Sequence, residues 1–91
     1  MSFPANEDQR TDLRKAIAHL ERGEWDAAHV IVQADEESAH SCWLHGIVHL
    51  LEGDPANARY WYNRAGRKFS SDTAAEIAAA SEAVSAVSGS E

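Results

Sequence analysis

The chain reads as an all-α protein. Apolar residues recur at three- and four-residue spacing through most of its length, and no run alternates β-branched with polar residues as a half-buried strand would. The periodic segments are also bounded by glycines and by Asn, Asp, Ser or Thr, residues that stop and start helices. Together these mark off about five helices.

The first helix is expected from about Glu7 to Arg22, where Asn6 can cap it with Gln9 three residues on, Leu13, Ile17 and Leu20 form the apolar face, and Gly23 ends it. The second, about Glu24 to Glu36, is expected to bury Ala27, Val30, Ile31 and Ala34. The third runs from near Ser38 to Gly53. The fourth has the sharpest start: Asp54 can accept from the free amides of the first turn, and Pro55 takes the first helical position, where a missing N–H costs nothing. It is read as continuing through NARYWYNRAGRKF, residues 57–69. The fifth opens at Thr73 with Glu76 at capping-box spacing and places Ile77, Ala80, Val84 and Val87 on one face. Residues 1–88 are thus expected to form one domain, followed by a short disordered tail at 89–91.

A chain of 91 residues has room for one core, burying roughly 60–65% of the surface its unfolded form exposes. Its longest uncharged apolar run, Ile47 to Leu51, contains a histidine and is far too short to span a bilayer, so no membrane role is expected. The opening MSFPANEDQR lacks a basic region followed by an apolar stretch, and the lone Cys42 cannot form an internal disulfide. Both features point to a reducing cytoplasm.

Overlaying Gly23 on Gly53 aligns two segments thirty residues apart: Ile17 with Ile47, His19 with His49, Leu20 with Leu50, Glu24 with Asp54 and Ala28 with Ala58. In the second unit Gly46 matches a small position of the first helix, Gly53 the turn, and Ala58, Tyr62 and Ala65 the small, aromatic and small positions of the second helix. On these residues the chain resembles a tetratricopeptide or Sel1-like helical repeat over roughly residues 11–68. The resemblance implies two stacked helix-turn-helix hairpins with a C-terminal capping helix, and a protein-binding role. WDAAH, WLHGIVH and EGDPANARYWYNRAG are also similar to a group of small bacterial helical proteins with no assigned activity, a likeness that supplies a shape and no function.

At about 100° per residue, the third helix carries Trp43, Leu44, Ile47, Val48, Leu50 and Leu51 on one broad face and Cys42, His45, His49 and Glu52 on the other. The repeat pattern puts large apolar residues at the positions of Cys42, His45 and His49, so the resemblance implies a polar stripe that faces inward. His45 and His49 at i, i+4 can ligate one metal ion from a single face. One helix rarely supplies a whole tetrahedral set, so a site is expected to use His29, or Asp26, from the second helix; His29, His45, His49 and Glu52 are the candidate ligands, with zinc a suitable divalent ion. The plainer alternative has these side chains bonding polar neighbours or meeting solvent. Cys42 could be a reactive thiol, activated by the nearby histidines, or an inert small core residue; His19 and His40 read as structural.

The fourth helix interleaves aromatics with bases, Trp61, Ala65, Ala58 and Tyr62 forming its packing face while Tyr60, Arg64 and Arg67 could hold a small anion. Arg59, Arg64, Arg67 and Lys68 could also meet phosphates, but a net charge of −7 opposes extended nucleic acid. No catalytic constellation is present, so the leading expectation is a non-enzymatic module that binds a protein partner or a second copy of itself. A metal- or anion-binding protein using the histidine stripe is the alternative.

Overall fold

A computed structural model describes residues 7–89, with side chains described for 9–85, and all five elements are α-helices: α1 (Glu7–Glu21), α2 (Trp25–Gln33), α3 (Ala39–Glu52), α4 (Pro55–Ala65) and α5 (Thr73–Gly89). α1 and α2 form one hairpin, α3 and α4 a second, and α2 packs on α3 to join them. α5 then crosses back over α1 and α3. The extents of 36 × 25 × 23 Å reflect that return: the last helix closes the bundle instead of lengthening a stack.

α3 is the central element, buried without a break from Ser41 to His49. Ser38 caps it, its hydroxyl accepting from the Ser41 amide, and Gly53 ends it in the left-handed conformation (φ 90°) that residues with a Cβ seldom adopt. Trp43, Leu44, Ile47 and Val48 meet Leu13, Ile17 and Leu20 of α1, Ala80 and Val84 of α5, and Val32 of α2 in one core. α3 and α4 approach closely because position 46 has no side chain. A Cβ there would lie 2.5 Å from Tyr62 Cδ1, so the Tyr62 ring occupies the space that glycine leaves.

α4 starts as expected. Asp54 accepts from the Asn57 amide at 3.3 Å and from the Asn57 side chain at 2.9 Å, and these bonds hold its carboxyl below the usual aspartate range. Its other end differs from expectation. Gly66 adopts φ 72° and the amides of Gly66 and Arg67 bond back to Asn63 and Tyr62, closing the helix at Ala65; residues 67–69 lie beyond it.

Two further expectations need correction. α2 turns a different face inward: Ala28 and Val32 are buried, Trp25 and Ile31 partly so, whereas Val30 is 70% exposed and Ala34 is exposed. A nine-residue helix that is apolar on nearly every side has no sharp phase of its own, and contact with both α1 and α3 sets it. At α5 the cap is Asp72, whose carboxylate accepts from the Ala75 amide, so Thr73 is already helical. The Glu76 side chain does not close a capping box: its Oε1 accepts from Trp43 Nε1 at 3.0 Å and from the Tyr62 hydroxyl at 2.7 Å. Burial, together with the Glu76 carboxylate, raises the Tyr62 hydroxyl pKa well above its ordinary value. Ala80 and Val84 are buried and Ile77 half-buried as expected. The proposed cap Asn6 and residues 90 and 91 of the expected tail lie outside the described residues, as does the Val87 side chain, while Gly89 is still helical.

Candidate metal centre

The inward polar stripe of α3 meets a histidine from α2. His45 and His49 project one turn apart, and the packing of α2 across α3 brings His29 to them: His29 Nε2 lies 3.1 Å from His45 Nε2, and one candidate ligand atom from each of the three rings falls within 4.8 Å of the others. The ring centroids stand 4.9, 5.3 and 5.2 Å apart. The rotation of α2 that exposes Val30 is the one that turns His29 toward α3.

The site is walled by α4. Trp61 lies flat on His45, ring centroids 3.8 Å apart and planes 7° from parallel, which covers that ring and fixes its direction. His49 is oriented by Glu52, its Nδ1–H donating to Oε1 at 2.7 Å. That tautomer leaves His49 Nε2 as a lone-pair nitrogen, and a carboxylate behind an imidazole is the usual way a metal-binding histidine is held. His45 Nδ1 is buried without a hydrogen-bond partner. Burial, reinforced by the charges His29 and His49 would carry, lowers the His45 pKa to about 4, so the ring is neutral at physiological pH.

Among the described residues this is one of two groups with metal-ligand geometry. In the other, His49, Glu52 and Asp54 also lie within 4.8 Å of one another, but Glu52 is bonded to His49 and Asp54 to Asn57, so these carboxylates already serve orientation and capping.

The remaining candidates are not among the three clustered histidines. Asp26 is exposed and accepts from the Ala27 amide. Cys42 is buried and its thiol donates to the Glu36 carbonyl at 3.4 Å. Arg64 donates to that same carbonyl at 2.7 Å, and the Cys42 sulfur and Tyr60 hydroxyl beside it raise its pKa. Arg67 lies over the Trp43 ring at 3.4 Å and Arg59 over Phe69 at 4.1 Å. Arg59, Arg64 and Arg67 thus each contact other residues of their own fold. His19 donates its Nδ1–H to Glu24 Oε1 at 2.7 Å on the surface, and His40 is half-buried. Trp61 belongs to the packing face of α4 by its spacing, but its stack on His45 is not legible in the sequence. Nothing in the spacing along one helix marks a ring that stacks on a neighbour.

No protein-family model, no curated protein and no solved structure matches this chain. No helix among the described residues is long and apolar enough to cross a membrane.

Proposed function

We propose that the chain binds a divalent transition-metal ion, zinc being the best fit, through His29, His45 and His49. The observation that carries this reading is the convergence of three imidazoles from two helices within 4.8 Å. Two metal–nitrogen bonds of about 2.0–2.1 Å at a tetrahedral angle put the nitrogens about 3.3 Å apart, close to the separation of His29 and His45. Neutral imidazole is the protonation state a metal requires, and the depressed His45 pKa supplies it. Three nitrogen ligands leave a position for water or another donor, and their borderline-soft character favours zinc over magnesium or calcium. Isothermal titration of tag-free protein with Zn²⁺ tests the reading, with one ion per chain expected and uptake lost in His45→Ala.

A second reading, a protein-binding module of helical-repeat type, is supported by the paired hairpins and by Val30 and Tyr60, which are large apolar side chains left 70% and 53% exposed. Light scattering of Val30→Ser tests the self-associating form. A mass that falls from dimer to monomer supports it, and a wild-type monomer at every concentration opposes it.

A further inference from the structure

Resting on the metal reading, we propose that the ion clamps α2 onto α3, so that occupancy of the histidine centre governs how firmly this one helix is docked. The ligands are divided unequally between the two helices. α3 supplies His45 and His49, and both are fixed by the protein itself, His45 by the Trp61 stack and His49 by Glu52. α2 supplies His29 alone, and His29 is half-buried.

α2 also has little helical stability of its own. It is the shortest helix, nine residues, and helices of that length do not persist in water without tertiary support. Glu24 at its N-cap makes no side-chain hydrogen bond to the free amides. Its fully buried residues are Ala28 and Val32, small beside the unbroken buried run of α3. His29 is the fifth of the nine residues, so a bond at that position ties the middle of the helix and restrains both ends. Without an ion, the polar link at that point is the 3.1 Å contact between His29 and His45, a single hydrogen bond in which one ring donates to the other. With an ion, the link becomes one coordinate bond from His29 to a centre that His45 and His49 hold from α3, and the half-exposed His29 gives the side from which the ion enters and leaves. The same anchoring fixes Val30, the adjacent exposed apolar residue, in its outward position.

Amide hydrogen exchange on the full tag-free chain, with excess chelator and then with one equivalent of Zn²⁺, tests the clamp. Zinc is expected to raise protection across the amides of α2 by about tenfold or more while those of α4 change by less than about twofold. In His29→Ala, which keeps both α3 ligands, the added protection of α2 should vanish. Zinc bound at one per chain with α2 unchanged, with an equal rise in every helix, or with the rise retained in His29→Ala, overturns the clamp and leaves the metal reading intact. A folded chain that takes up no zinc overturns both.

Discussion

The two interhelical turns of this protein are built alike, and the helices they join are used differently. After α1, Gly23 (φ 76°) is followed by bonds from the Gly23 amide to Leu20 and from the Glu24 amide to His19. After α3, Gly53 (φ 90°) is followed by bonds from its amide to Leu50 and from the Asp54 amide to His49. Each turn carries a histidine whose Nδ1 lies 2.7 Å from a carboxylate, Glu24 in the first and Glu52 in the second. Yet the His19 side chain is 31% exposed and that of His49 10%. Local sequence fixes the turn, and what packs over the turn fixes the chemistry. Over α3, Gly46 admits Tyr62 and Trp61 covers His45. In the first hairpin the equivalent positions are Ala16, in the core, and Lys15, in solvent.

The largest difference between the hairpins should emerge with pH in chelated protein. The folded-state pKa of His45 lies near 4 against an unfolded value of 6.5, so the unfolded chain binds the extra proton between those limits. Stability is therefore fully present above the upper value and declines as pH falls through the window, by up to about 3 kcal/mol from this one ring. Urea unfolding at several pH values checks it: His45→Gln should flatten the decline relative to wild type. Parallel curves for wild type and His45→Gln would remove His45 from the account.

A smaller effect separates the two close approaches. Gly46→Ala drives a Cβ into Tyr62 and should cost about 2 kcal/mol by overpacking. At the matching position of the first hairpin, Ala16→Gly should cost about 1 kcal/mol, chiefly through helix propensity. Chemical denaturation of the pair ranks them, and a stabilised Gly46→Ala would show that Tyr62 moves aside freely.

The smallest expected contrast lies in the caps. Asp54→Ala removes acceptors for both the Asn57 amide and side chain and should lower the melting temperature, whereas Glu24→Ala, at a position with no cap bond, should lower it less. Equal melting-temperature losses would erase the asymmetry between the two hairpins.

These contrasts also explain how much of the protein could be read from its residues. Asp54-Pro55, Gly23 and Gly53 act on the backbone beside them, and the helix boundaries they set agree with expectation to within a residue. The face of α3 was legible because fourteen residues give a periodic pattern room to repeat. α2 is too short and too uniformly apolar to declare its phase, so Val30 was expected inside and is outside. The basic-aromatic pattern runs on past Gly66 and masks it as a stop. Glu76 has the spacing of a cap residue, but Trp43 and Tyr62 offer it partners from other helices. The histidine candidates on α3 follow from i, i+4 spacing, but bringing His29 to them depends on how α2 crosses α3, a relation that no local pattern encodes.

The central claim is that His29, His45 and His49 form one metal centre, and the most direct measurement is elemental analysis of tag-free protein after equilibration with zinc and removal of the unbound ion. The account predicts one zinc per wild-type chain and none in a folded His45→Ala variant. A folded wild-type chain without zinc, or a His45→Ala chain that retains it, would contradict the account.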